Sequence, residues 1–199
     1  MNTMKTINLI DELHAAVEDQ VSLLRKWAEL PLELLISRPT PQAWSMLEVI
    51  EHLNINSGHY TKRLKRIYAK EEALAMDTEF SPGKWGEKLT VSMKPSPDGL
   101  IPKPMRTLWL FEPKAAGAKG KESVREFQRM LDDQLSLLEQ ARTMGWEGPR
   151  VTSTLGPILR FKIGDAFRFM IAHQERHFLQ AARALVQLEA AQASVLSVR

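Results

Sequence analysis

The chain has five histidines, at positions 14, 52, 59, 173 and 177, and no cysteine. His173 and His177 form an H-x-x-x-H pair. On an α-helix that spacing sets two imidazoles about 40° apart and one turn from each other, so both can address a common atom. Zinc and other borderline divalent ions take imidazole nitrogen at about 2.0–2.1 Å, a geometry that an i, i+4 pair reaches without bending the helix. A third ligand is needed, and His52 offers itself from a separate helical segment, with Asn56 and His59 further along the same stripe. Three imidazoles and a free position form the open geometry of a catalytic metal site rather than the closed one of a structural site. Asn56 and His59 are candidates for orienting a substrate or shuttling a proton, with a pocket-wall or surface place the alternative for His59.

The histidines have to be held by something, and four segments carry helical periodicity. The first runs from Met4 to Ala28 with Ile7, Ile10, Leu13, Val17, Val21 and Leu24 at spacings of three and four. The second begins at Ser45, which with Glu48 has capping-box spacing, and continues to about Leu74. The third starts at a second such pair, Ser123 and Glu126, and runs to Met144, closed by Gly145 and Gly148. The fourth spans Ile163 to Leu188, where His173 and His177 continue the stripe of Ala166, Met170, Ala181 and Ala184 and therefore point inward. Residues 75–122 form one long link. Pro82, Pro95, Pro97, Pro102, Pro104 and Pro113 forbid it a long helix. Trp85, Leu100, Ile101, Leu108, Trp109, Leu110 and Phe111 make it too apolar for a free linker. The pattern predicts an all-α protein, a four-helix bundle with a long Pro-rich crossover between helices two and three, as a single domain over residues 1–188. The crossover would cover one bundle end, pinned there by Trp85 and Trp109, and residues 189–199 would form a frayed tail.

Composition narrows the chemistry. With 199 residues, 44% hydrophobic and 26% charged, the chain can bury a core. The lack of cysteine excludes disulfide scaffolds, thiolate metal sites and a protein thiol nucleophile. The net charge of +3 is mild for a nucleic-acid binder. It is unevenly placed: residues 81–121 carry eight Lys/Arg against three acidic residues, so the remainder is net negative. That basic stretch could draw in an anion or simply keep a loop solvated. No apolar run reaches membrane-spanning length and the N-terminus lacks a secretory pattern, so a cytoplasmic protein is expected. His14 reads as a packed core histidine, Tyr60 as core packing, and Glu175 and Arg176 as solvent or interface charges.

Several of these residues fall into a known order. Pro39-x-x-x-x-Trp44-Ser45 leading to Glu51-His52-Leu53, then Leu155-Gly156-Pro157, then His173-x-x-Arg176-His177-x-x-Gln180 resembles the DinB-like (DinB/YfiT) superfamily over most of the chain. The resemblance implies an up-down-down-up bundle with a long second connection, a homodimer, and a zinc or nickel ion held by His52, His173 and His177. It also implies a metal-dependent transferase of low-molecular-weight thiols, or an isomerase or hydrolase using such thiols or a metal-bound water. A thiol would have to enter as cosubstrate.

Two other functions compete with this small-molecule enzyme. One is a non-catalytic metal-binding or stress-response bundle, in which a protein group would block the fourth coordination position. The other is a nucleic-acid-associated protein using the basic crossover, suggested by the family's association with DNA-damage induction and opposed by the low net charge.

Overall fold

The computed structural model describes residues 3–70, 74, 76–96, 98–101, 107, 109–114 and 119–197. The described chain is mostly helical, with two small antiparallel sheets. Strand β1 (Met4–Lys5) leads into α1 (Thr6–Ala28), followed by the short α2 (Leu32–Ile36) and α3 (Met46–Ala69). The link holds β2 (Glu79–Phe80), α4 (Lys84–Met93) and a 3-10 turn at Trp109–Phe111. Then come α5 (Glu122–Met144), a hairpin of β3 (Val151–Ser153) and β4 (Gly156–Phe161), and α6 (Ile163–Ser197). Helices α1 and α3 each pack on both α5 and α6. The four apolar faces meet in one core, with Val17, Leu24, Ile50, Tyr60, Phe127, Leu138, Phe167 and Met170 all fully buried. Removing each such side chain from water is worth about 1.5–3 kcal/mol. Among the described residues no helix is long and apolar enough to cross a membrane.

The helix starts show where local signals hold and where they yield. At α3 the capping box forms: the Glu48 amide donates to Ser45 Oγ at 3.2 Å and the Ser45 amide to Glu48 Oε2 at 2.9 Å. At α5 the second pair does not act as a box. The helix begins a residue before Ser123, whose hydroxyl instead donates to Glu51 on α3 at 3.0 Å, while Glu126 accepts from Lys119 at 2.9 Å. Two ends also move. Helix α3 stops at Ala69, short of Leu74, because the Lys70 amide turns back to the Ile67 and Tyr68 carbonyls. Helix α6 runs on to Ser197, so residues 189–197 are helical rather than a frayed tail. Gly145 closes α5 at φ 83°, a conformation that favours glycine. Ile7, expected on the buried stripe of α1, is exposed, and Leu9 is buried in its stead.

The described part of the link contains regular structure packed on the helices. Strand β2 pairs with β1, setting Phe80 opposite Met4, and α4 packs on α6. The anchors are not the tryptophans, since Trp85 is 55% and Trp109 67% exposed. On α4 the spacing of Gly86, Thr90 and Met93 selects the buried face and turns Trp85 outward, where Lys88 lies 5.3 Å from its ring. The link is held instead by Phe80, by Met93, and by Asp165 of α6, which accepts the Gly83 amide at 2.8 Å. Arg168 adds an ion pair to Glu87 at 2.7 Å. The calls on Pro97, Pro102, Pro104, Lys103, Arg106 and Leu108 lie outside the described residues.

A Cβ at Gly86 would overlap the Asp165 carboxylate. Gly86→Ala should therefore destabilise the fold by roughly 1–3 kcal/mol. Val91→Ala, on the exposed face of the same helix, should change stability by under about 0.5 kcal/mol. Urea midpoints compare the two, and equal effects would contradict this packing of α4.

Candidate metal centre

Helices α3 and α6 bring His52, His173 and His177 together. One nitrogen from each lies within 4.8 Å of the other two. The rings are buried, at 4%, 7% and 9% exposure. His173 Nε2 is 3.4 Å from His52 Nε2 and 3.2 Å from His177 Nε2. Two bonds of about 2.0–2.1 Å at a tetrahedral angle span roughly 3.3–3.4 Å, so these separations suit nitrogens sharing one ion.

The outer nitrogens decide the chemistry of this donor set. His52 Nδ1 lies 2.8 Å from the carbonyl of Phe111 and His177 Nδ1 lies 2.9 Å from Gln180 Oε1. A carbonyl oxygen only accepts, so both Nδ1 atoms carry the proton and both Nε2 atoms present lone pairs. A single N–H on His173 Nε2 can satisfy just one of them. A cation at the common point satisfies all three, and the residues fit such an ion. Burial reinforces the neutral form. It pushes the His52 and His173 imidazoles below their ordinary value, His173 well below, and His177 down to about 3. Neighbouring rings and the Arg176 charge add to the effect at His173 and His177.

The triad opens on a cavity of about 1090 Å³. Its walls come from four other parts of the chain: Arg38 and Trp44 ahead of α3, Met93 of α4, Phe111 and Lys114 of the link, and Thr154 and Leu155 of the hairpin. The Trp44 ring centroid stands 5.2 Å from that of His52 and 6.4 Å from that of His177. Asn56 also lines the cavity, its Nδ2 3.4 Å from Thr154 Oγ1, and its buried Oδ1 has no partner among the described residues. His59 does not line it. Its Nε2 meets the Thr152 carbonyl at 2.8 Å, so it braces β3 against α3.

Other charges and rings divide along similar lines. Tyr60 is core, as expected, with its hydroxyl at 3.0 Å from Thr154 Oγ1. His14 is not packed in the core but lies partly exposed between Glu18 and Glu139. Arg176 is a correction: it is 6% exposed and lines the cavity, whereas Glu175 points away from it. Helical angle explains the difference, since residue 176 falls about 60° from 173 and residue 175 about 200°. By the same rule Gln180 returns to the histidine face, a signal open to anyone reading the sequence. The Phe111 carbonyl left no such signal. In the basic stretch, Lys119 is tied to Glu51 and Glu126, and Lys121 to the Ala28 carbonyl.

A family model described as the DinB superfamily matches residues 15–181, which spans all three histidines. No curated protein and no solved structure matches the chain.

The buried imidazoles give the protein freed of metal a particular pH response. An unfolded histidine takes up a proton near pH 6.5, while burial keeps these neutral to lower pH, His173 well below that value and His177 to about 3. Between those values the unfolded chain binds more protons, so stability falls as pH falls, by up to about 1.4 kcal/mol per pH unit for each such ring. After chelator treatment the urea midpoint should drop from pH 7.5 to pH 5.5, and drop less in His177→Gln. A midpoint that stays constant would show that the rings are not held neutral.

Proposed function

We propose that this chain, which belongs to the DinB superfamily, is a metal-dependent enzyme acting on a small molecule. In this reading the four long helices form a four-helix bundle and the link is its crossover. His52, His173 and His177 hold a divalent ion, zinc or nickel. The reaction is thiol transfer or hydrolysis, with a low-molecular-weight thiol as cosubstrate in the first case, because the chain carries no thiol of its own. The homodimer and cytoplasmic setting expected from the sequence belong to the same reading. The observation that carries it is the meeting of three Nε2 atoms, two with lone pairs fixed inward by the bonds behind them.

A divalent ion held by His52, His173 and His177 would supply Lewis-acid chemistry, lowering the pKa of a bound water or thiol and polarising an electrophile beside it. The chain's own residues supply the rest. The Phe111 carbonyl and Gln180 fix the rotation and tautomer of His52 and His177. Asn56 lines the cavity and is buried, with its Nδ2 3.4 Å from Thr154 Oγ1, so it is a polar group of the wall that a substrate would meet. Trp44 covers two of the ligand rings and limits water around them. The size of the cavity favours a catalytic centre over a purely structural ion, whose coordination a protein group would complete.

Elemental analysis of untagged protein should find about one divalent ion per chain, falling below about a tenth in His52→Ala and in His173→Ala. An ion retained stoichiometrically by either variant, or absent from the wild type, would overturn the proposal.

A further inference from the structure

On the side of α6 away from the histidines, a second cleft of about 560 Å³ lies between α1 and α6. Residues 175 and 178 of α6, which line it, fall about 200° and 140° from 173, and this separates the cleft from the triad. Its other wall is a stripe of α1, Glu12, Ala16, Asp19 and Leu23, at spacings of four, three and four. Lys94, at the end of α4, is the one cation among the described lining residues. Glu12, Asp19 and Glu175 stand against that single ammonium, so the lining has two negative charges in excess. Among the described residues none of these three carboxylates makes a side-chain hydrogen bond or ion pair. Burial pushes the Glu175 carboxyl up from its ordinary value, and the Lys94 charge offsets only part of this.

Surface carboxylates alone are ordinary, but the amide beneath these is not. Gln20 lines the same cleft at 4% exposure, between the acidic stripe and the core stripe of α1, and neither its Nε2 nor its Oε1 has a hydrogen-bond partner. Buried carboxamides are nearly always paired, so this one calls for a partner from outside the chain. Its three rotatable bonds let it turn to a guest, for which Oε1 is an acceptor. A bare metal ion does not fit. Among the described residues the histidine triad is the group of three whose ligand atoms come within 4.8 Å of one another, and the carboxylates of this cleft form no such group. Glu12 and Asp19 instead lie about two turns apart, about 10.5 Å along α1, with Glu175 on the other wall. Positive charges strung along a chain suit that spacing, and Ala15, Leu23 and Phe178 give the methylenes between them apolar surface. We infer that this cleft binds a linear aliphatic polyamine, with its ammonium groups on Glu12, Asp19 and Glu175 and on the Gln20 carbonyl. The site is independent of any ion at the triad.

The test is isothermal titration of spermidine into the full chain at about 0.15 M salt, where exposed charges are screened, with magnesium chloride and the neutral 1,6-hexanediol for comparison. Wild type should bind spermidine tenfold or more tightly than either. Asp19→Asn and Glu175→Gln should each weaken it at least threefold. Glu33→Gln, which removes the same charge from an exposed position of α2, should leave it within twofold. Gln20→Met, close in shape and equal in charge, should weaken it at least threefold; should that variant fail to fold by circular dichroism, the two carboxylate variants decide. His52→Ala should bind as wild type does. The inference fails if spermidine does not bind, if magnesium or the diol binds as tightly, if Glu33→Gln loses as much as Asp19→Asn, or if a folded Gln20→Met is unchanged. Binding lost in His52→Ala would also overturn it, by assigning the amine to the histidines.

Discussion

The structure turns on lone pairs brought face to face at largely buried rings. Three neutral imidazoles from α3 and α6 aim nitrogens at one point, and two have their protons committed to acceptors on the far side of the ring. In a low-dielectric interior such an arrangement is unfavourable by itself, because the inward nitrogens have one proton among them at most. It persists only because the helices fix the ring positions, and it becomes favourable once a cation sits among the nitrogens. Ion binding there would be linked to folding, because the seat would be prepared at the expense of apo stability.

Holding those rings in register requires that α3 and α6 not slide. Next to His173, Gln174 donates to Ser57 on α3 at 3.0 Å and to Gln134 on α5 at 3.1 Å, and Gln134 donates to Thr61 at 3.2 Å. All four side chains are buried. A slip of one helical turn, about 5.4 Å, would leave the whole set unpaired at about 1–3 kcal/mol for each group. Apolar contacts alone would resist such a slip less, since leucine faces tolerate several alignments. Glu51, beside His52, serves similarly by joining α3 to Ser123 of α5 and to Lys119 of the link.

What could be read from the sequence, and what could not, follows the range of each interaction. The four long helices were legible because their stripes repeat every three to four residues, and the capping box of α3 because all its partners lie within four positions. The histidine pair of α6 was legible for the same reason, and His52 joined it through its inward-facing stripe. The Ser123 box failed because a buried carboxylate 72 positions away offered that hydroxyl a better partner. Trp85 and Trp109 misled because large aromatic rings favour burial on average, yet the face of α4 is chosen by the glycine that lets it approach Asp165. Strands β1 and β2 are two residues each and define themselves only by pairing across the fold. The Phe111 carbonyl is a backbone atom, and no residue type announces it.

The division of labour between helices and loops has a functional consequence. Every nitrogen of the triad comes from a long helix, His52 from the second turn of α3 and His173 and His177 from the interior of α6, held by core packing and by the glutamine network. The cavity walls at Arg38, Trp44, Phe111, Lys114, Thr154 and Leu155 come from connecting segments. Connections tolerate changes of length and sequence that the core does not. A protein built this way can change what its cavity admits while leaving the ion seat intact. The exceptions are Met93 on α4, and Glu48, Asn56, Phe169, Arg176 and Gln180, wall residues carried on the same helices as the three histidines. Rigid helices set the distance of these residues from the three imidazoles, so this part of the wall stays fixed when the connecting segments change.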